Sequence, residues 1–279
     1  MKSPRGDRRW FRASAALCCA LALCSPLTIQ AVLAGTAPMS GAVGAELRTA
    51  SDQSEAERRA RVRLELASAY FSQGQLTTAL DELKQALSTY PELADGWNLR
   101  GLIYASLRQF ETAQHSFERA VALAPHDGAI LHNQGWFLCQ RERYTQAQAA
   151  LGQALQQALY TDHAKTRLAQ GVCLAMAGQE EQAIGLLSQA FERDPSQPAL
   201  AVNLAHLLAR QGRFEQAAVY IRRVNEQAAW LNAQTLWLGA QVEHGLGDRR
   251  AADDLLQRLR RQFPNAPQSW AAQRRAIHD

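Results

Sequence analysis

Residues 94–127 read ADGWNLRGLIYASLRQFETAQHSFERAVALAPHD, and this stretch decides the fold. Small residues occupy its eighth, twentieth and twenty-seventh positions: Gly101, Ala113 and Ala120. Large apolar residues occupy its fourth, eleventh and twenty-fourth positions: Trp97, Tyr104 and Phe117. Pro125 then follows, where a helix cannot continue. The pattern predicts two helices that cross closely at the small residues and fill the surrounding space with the large ones.

The same pattern recurs from residue 60 to residue 264 at a spacing of about 34 residues, the length of a tetratricopeptide (TPR) repeat. A TPR repeat is a helix–turn–helix unit that buries its apolar face only by stacking on its neighbours. We predict six repeats, over residues 60–93, 94–127, 128–163, 164–197, 198–231 and 232–264. Because a solenoid needs a polar end, residues 265–279 are predicted to form a capping helix, Ser269 to Ile277, and tail. The predicted fold class is all-α, a right-handed superhelical TPR solenoid of six repeats with a C-terminal capping helix.

Residues 1–34 are typical of a secretory signal. Five basic residues precede an apolar run over residues 13–23, which is too short to span a membrane. Val32-Leu33-Ala34 predicts cleavage before Gly35. A lipoprotein cut before Cys24 is the alternative, although Leu23 stands where a Gly or Ala is usual. Both alternatives stay open. Residues 35–59 are predicted to be a flexible tether, whose sequence becomes helix-like and charged from Ser54 and runs into the first repeat.

Export changes the charge of the working protein. The whole chain has 30 Lys and Arg against 26 Asp and Glu, and residues 1–34 hold 5 and 1 of these. The remaining chain therefore has 25 of each and a formal charge of zero. Nucleic-acid binding requires a net basic surface, so this composition argues against a nucleic-acid partner.

The sequence contains no constellation typical of catalysis. Its histidines form no H-x-x-x-H pair and no zinc spacing with cysteine, and phosphate-binding loops and nucleophile elbows are lacking. We therefore expect no enzyme activity, no metal and no cofactor. The segments outside the repeats are too short for a catalytic domain, so the surface of the repeats is expected to carry the function by binding a protein.

In a TPR stack, the first helix of each repeat faces a concave groove with its second, fifth, ninth, twelfth and thirteenth residues. A mostly apolar strip in such a groove indicates a protein-binding site. The candidate groove residues in repeats one to four are Leu64, Phe71, Asn98, Leu102, His132, Trp136, Leu168 and Val172. One TPR subclass clamps a free carboxylate with Lys and Asn at the fifth and ninth positions. Here those positions hold Leu64 and Ser68, Asn98 and Leu102, and His132 and Trp136, so the clamp is absent, which argues against a chaperone-tail adaptor.

Two cysteines remain after the signal, Cys139 and Cys173, and both fall in first helices of consecutive repeats. Because those helices are neighbours in a stack, a disulfide between them is geometrically allowed, and an exported protein favours it. Two buried thiols are the alternative. A bridge would link repeats three and four across the irregular segment at residues 159–163.

Several segments resemble the PilF/PilW family more closely than they resemble a generic TPR. Residues 132–139 (HNQGWFLC) resemble that family's asparagine-rich segment that runs from glycine to cysteine. Tyr160, residues 169–174 (AQGVCL) and Ala177-Gly178 resemble its junction between repeats three and four. Residues 236–239, 246–248 and 261–264 resemble its last repeat. The match runs from about residue 58 to residue 266, and the two cysteines coincide with the family's pair.

The resemblance implies a type IV pilus biogenesis protein that is periplasmic and usually attached to the outer membrane. It implies a pilotin, which helps the outer-membrane secretin to localise or multimerise. The expected partner is therefore the secretin, with a lipid at Cys24 as the candidate membrane anchor. The alternative function is a generic periplasmic TPR scaffold of another cell-envelope complex.

Overall fold

The computed structural model describes residues 54–269. Within this range it contains twelve complete α-helices, one short 3₁₀ helix (Ala228–Trp230), the first residues of a further helix at 267–269, and no strand. The α-helices are α1 (Glu55–Ser72), α2 (Leu76–Thr89), α3 (Ala94–Ser106), α4 (Phe110–Leu123), α5 (Gly128–Gln140), α6 (Tyr144–Gln156), α7 (His163–Met176), α8 (Glu180–Arg193), α9 (Pro198–Arg210), α10 (Phe214–Glu226), α11 (Ala233–Gly245) and α12 (Arg249–Gln262). The predicted all-α TPR architecture is confirmed. The signal, Cys24, most of the predicted tether and nearly all of the predicted capping helix lie outside the described residues.

Each odd-numbered helix crosses the even-numbered helix that follows it at a glycine or alanine. A Cβ atom added to Gly101 would lie 2.8 Å from the ring of Phe117, and one added to Gly135 would lie 2.7 Å from the side chain of Leu151. Real Cβ atoms do not approach other atoms so closely, and the two backbones meet only because these positions lack a side chain. The large residue at the twenty-fourth position is buried in each of the first five pairs: Leu83, Phe117, Leu151, Leu187 and Ile221.

Prolines set the end of four of the even-numbered helices. The residue before each proline has φ between −142° and −132°, a conformation that a following proline favours and that a helix cannot contain. These residues are Tyr90, Ala124, Asp194 and Phe263. After the first three of these helices, a connection of only four residues leads to the next helix.

Two joints between repeats lack this proline and differ from the others. Six residues separate α6 from α7, and six separate α10 from α11, the latter including the 3₁₀ helix. We refer to residues 157–162 as the third joint and to residues 227–232 as the fifth joint. Both begin with a glutamine in extended conformation, Gln157 and Gln227.

The odd-numbered helices form one layer of the stack. Each contacts the next odd-numbered helix, in the series α1, α3, α5, α7, α9 and α11, whereas the even-numbered helices contact odd-numbered neighbours. In a curved two-layer stack the layer with closer neighbours lies on the inside of the curve. The odd-numbered helices therefore line the concave face, where the groove was predicted.

Candidate functional site

The predicted groove residues lie on α1, α3, α5 and α7, the helices that line the concave face. Seven of the eight are partly buried, so each keeps some surface open to a partner: Leu64, Phe71, Asn98, Leu102, Trp136, Leu168 and Val172. On the same face, Met176 at the end of α7 is 47% exposed. The concave face thus carries an apolar strip of incompletely covered side chains.

The apolar strip also packs against the core. Leu64, Phe71 and Leu102 lie against a buried cluster shared by α1, α2 and α3. Trp136 lies against a second cluster, which contains both Cys139 and Cys173. Because packing holds these side chains in place, the strip is a preformed surface, and truncating one of them would lower stability as well as any binding.

His132 does not belong to the exposed groove, which corrects the prediction. Its side chain is 6% exposed, and its Nδ1 lies 2.8 Å from Oγ1 of the buried Thr166 on α7. The hydroxyl of Tyr160, from the third joint, lies 2.6 Å from the same Oγ1. The side chain of His132 is thus enclosed by contacts with α7 and has almost no surface left for a partner.

The surroundings of His132 disfavour its charged form. Burial lowers the pKa of His132 to about 4, with a further lowering from the positive charge of Lys165 and an opposing effect from Asp162. The imidazole is accordingly neutral at neutral pH and takes part in a hydrogen-bonded chain with Thr166 and Tyr160. Its role in the structure is to join α5 to α7.

Polar contacts between neighbouring odd-numbered helices continue along the groove. Asn133 on α5 donates through Nδ2 to Oδ1 of Asn98 on α3, at 3.2 Å. Arg61 on α1 approaches Asp95 on α3, at 3.8 Å. Asn98 therefore serves partly to set the spacing of α3 and α5, and only its remaining surface can contact a partner.

The structure places Cys139 and Cys173 at disulfide distance, with their Cα atoms 5.7 Å apart. Both side chains are fully buried, one on α5 and one on α7. The Sδ atom of Met176 lies 4.0 Å from the Sγ atom of Cys139. The cysteine pair therefore lies directly beneath the apolar strip, between Trp136 and Met176.

Sequence reasoning missed a cavity at the other end of the groove. The space between α9 and α11 has a volume of about 350 Å³. Its polar lining residues are His206 and Arg210 on α9 and Gln241 and His244 on α11. The sequence signal that could have revealed these residues is the spacing of the groove positions. It has to be continued into repeats five and six, with the count for repeat six moved to allow for the longer fifth joint.

No helix within residues 54–269 is long and apolar enough to cross a membrane. Across the same range, no three or more His, Cys, Asp or Glu side chains are grouped so that they could hold a metal ion.

Models of the tetratricopeptide repeat match five stretches of the chain: residues 67–108, 94–127, 132–198, 174–236 and 234–266. Among curated proteins, the chain is 26% identical over 203 residues to the type IV pilus assembly protein PilF of Pseudomonas aeruginosa strain PAO1. That alignment covers 73% of this chain and 80% of PilF.

Two solved structures extend the similarity. The crystal structure of PilW, described as a widely conserved type IV pilus biogenesis factor, is 27% identical with a TM-score of 0.70, and the match covers 76% of this chain and 97% of PilW. A structure of Pseudomonas aeruginosa PilF is 22% identical with a TM-score of 0.68, over 80% of this chain and all of that one, and it shows the shared fold. The comparisons support a TPR protein of the PilF/PilW type, and the predicted resemblance is confirmed.

Proposed function

We propose that this chain, a TPR protein similar to PilF and PilW, is a type IV pilus biogenesis factor that acts as a pilotin-like binding protein. In this proposal it binds a segment of the outer-membrane secretin and assists the localisation or assembly of that pore. The observation that carries the proposal is the alignment with PilF over 203 residues. The proposed activity is binding and not catalysis.

The apolar strip supports binding of a peptide segment. An amphipathic helix or an extended segment can lay apolar side chains on Leu102, Trp136 and Leu168, which are held by the core and remain partly open. Binding of a partner removes this exposed apolar surface from water, which contributes favourably to the free energy of binding.

The proposed location is the periplasm, with attachment to the outer membrane if Cys24 carries a lipid. The N-terminal sequence supports export, and it leaves open cleavage before Gly35 or lipidation at Cys24. Mass spectrometry of the mature N-terminus distinguishes the two. An unmodified chain that starts near Gly35 would exclude the lipid anchor.

Substitution of an exposed groove residue tests the proposed binding. Met176 on α7 is 47% exposed, so Met176→Glu places a charge in the apolar strip, and circular dichroism checks that losing the contact with Cys139 leaves the variant folded. Val219 on α10, in the other layer, is 68% exposed, and Val219→Glu is the matched control. We expect Met176→Glu to weaken binding of the purified secretin by about tenfold or more, since a central interface residue contributes above 1 kcal/mol, and Val219→Glu to leave it unchanged.

The outcome also separates the two candidate functions. Equal binding by both variants would remove the apolar strip from the proposal. Deletion of the gene should reduce secretin multimers in the outer membrane, and the Val219→Glu variant should restore them. If the chain captures another envelope complex and deletion leaves the secretin unaffected, the generic scaffold is the better description.

A further inference from the structure

The cavity between α9 and α11 combines an apolar floor with a polar rim. Phe214 and Leu238 form part of the floor. Gly245 makes room for this arrangement, because a Cβ atom at that position would collide with the ring of Phe214. The two helices are neighbours in the concave layer, and the polar lining residues are exposed, so the cavity is open to solvent and can admit a side chain of a bound segment.

The rim carries hydrogen-bond donors from both helices. His206 and Arg210 are four residues apart on α9, and Gln241 and His244 are three apart on α11, so each pair lies on one helix face. Guanidinium, amide and imidazole groups can all donate hydrogen bonds, and no carboxylate is among the residues that line the cavity. This donor set suits an acceptor group with negative charge.

Arg210 already binds one carboxylate. Its Nη2 lies 2.7 Å from Oε1 of Glu180 on α8, and the Arg210 side chain remains 54% exposed. A guanidinium has five N–H donors, so donors remain for a second carboxylate. Burial and then the positive charge of Arg210 lower the pKa of His206, while Glu180 opposes this shift. The neutral imidazole of His206 is therefore favoured, and Arg210 carries the positive charge at the cavity.

The charge along the groove agrees with this chemistry. Two charged residues, Lys165 and Arg210, occupy the groove positions of α5, α7, α9 and α11, and neither Asp nor Glu occurs there. The groove positions are the second, fifth, ninth, twelfth and thirteenth, counted from residues 128, 164, 198 and 233. A partner segment that crosses this part of the groove is therefore favoured if it is acidic.

We infer that this cavity binds an acidic side chain of a peptide segment that lies in the groove, with an apolar neighbour of that side chain on Phe214 and Leu238. The inference rests on the proposed use of the groove as a peptide site, and it does not depend on the secretin being the partner. It differs from the carboxylate clamp of other TPR proteins, because the donors come from repeats five and six and include no lysine.

Three small probes test the inference on the purified mature chain by NMR titration. They are acetyl-Asp-Phe-amide, its neutral match acetyl-Asn-Phe-amide, and acetyl-Phe with a free carboxylate. We expect the Asp probe to shift the amide signals of α9 and α11 and to bind about tenfold more tightly than the Asn probe, as a charge-assisted hydrogen bond predicts. Equal affinities, or shifts confined to other helices, would overturn the inference.

Two variants make the test specific. Arg210→Gln should abolish the preference for Asp over Asn, whereas Arg213→Gln should retain it, since Arg213 pairs with Glu181 and does not line the cavity. Circular dichroism of both variants confirms that they are folded. Preference for the free-carboxylate probe over the Asp probe would overturn the side-chain assignment in favour of a chain terminus. Because no probe contains secretin sequence, failure here is distinct from failure to bind the secretin.

Discussion

The third and fifth joints both connect consecutive repeats without a proline, but different contacts lie beside them. Both lack the proline that ends the even-numbered helix elsewhere, and both need six residues where the regular joints need four. The third joint lies beside a cysteine pair and the His132–Thr166–Tyr160 chain. The fifth joint has no cysteine and relies on polar contacts of α10 and α11. Each joint without proline is thus accompanied by another constraint: a cysteine pair with a polar chain at the third joint, and polar contacts at the fifth.

The polar contacts of the fifth joint come from both sides. Asn232 accepts from the backbone N–H groups of Gln234 and Thr235, and the Thr235 hydroxyl accepts from the Asn232 backbone N–H, which forms a capping box. Asn225 on α10 donates to the backbone carbonyl of Thr235, at 3.0 Å. Arg222 forms two contacts of 2.7 Å with the carboxylate of the buried Glu243. The capping box and the Asn225 bond hold the start of α11, and the Arg222–Glu243 pair holds its last turn against α10.

The largest expected effect comes from removing the covalent constraint. A bridge between Cys139 and Cys173 closes a loop of 34 residues, which the loop-entropy model values at about 3–4 kcal/mol. We expect Cys139→Ala with Cys173→Ala to lower the free energy of unfolding by about that amount, measured by urea denaturation. Hydrogen exchange should rise in α7 and the third joint first, and the fifth joint should keep its protection.

Thiol titration supplies the control for that prediction. The denatured, unreduced mature protein should contain no free thiol. Two titratable thiols would contradict the bridge, and the third joint would then depend on its polar contacts alone, as the fifth joint does.

The second effect concerns the buried histidine of the third joint. Its pKa of about 4 in the folded protein lies below the usual value of 6.5, so the unfolded chain binds a proton in this range that the folded chain does not. The contribution of His132 to the free energy of unfolding is fully present above pH 6.5 and is lost as the pH falls towards 4. We expect a loss of about 3 kcal/mol between these limits, since one pKa unit corresponds to about 1.4 kcal/mol.

His132→Gln should flatten this part of the pH dependence of stability, measured by chemical denaturation at a series of pH values. His126→Gln, on an exposed loop, is the control and should leave the profile unchanged. A wild-type profile that is flat between pH 6.5 and pH 4 would show that the third joint gains nothing from a neutral histidine.

The third effect tests the fifth joint. Arg222→Gln removes the partner of Glu243, a carboxylate that is 3% exposed, and leaves it without its charge-assisted hydrogen bonds. Such bonds contribute roughly 1.5–3 kcal/mol, and we expect about 2 kcal/mol because the Arg222 side chain is 56% exposed. Arg223→Gln on the same helix is the control. Hydrogen exchange should rise in α11, in contrast with the cysteine variant, and a rise in α7 instead would mean that the two joints are coupled.

The sequence predicted the repeated helix pairs because close crossings demand small residues, as at Gly101, and the spacing of such residues is visible without a structure. It could not predict the burial of His132, because the position usually faces the groove. The residues that cover His132 come from the irregular third joint, which contains Tyr160, and from the first turn of α7 that follows it, which contains Thr166. The cavity around Arg210 was missed for a related reason: the fifth joint displaces α11 by one residue, so the spacing that located Trp136 no longer locates Gln241.

The smallest effect is a gain in stability at a turn inside a repeat, away from both joints. Counted from residues 60, 94, 128, 164, 198 and 233, the fifteenth position of each repeat has positive φ. Glycine occupies it in four cases (Gly74, Gly178, Gly212 and Gly247), and Arg108 and Glu142 occupy it in the other two. Glu142 adopts φ of 60° without being glycine. Since a left-handed conformation costs a non-glycine residue about 1 kcal/mol, Glu142→Gly should raise the free energy of unfolding by about 0.5–1 kcal/mol.

Thermal or urea unfolding of Glu142→Gly measures that gain, and Glu142→Ala is the control, because alanine removes the same side chain but keeps the backbone strain. The variant also sharpens the comparison of the joints. If Glu142→Gly stabilises the protein while exchange at the third and fifth joints stays the same, the turns inside the repeats and the joints between them are independent constraints. A gain that also protects the third joint would instead show that the α5–α6 turn helps to hold α6 where that joint begins.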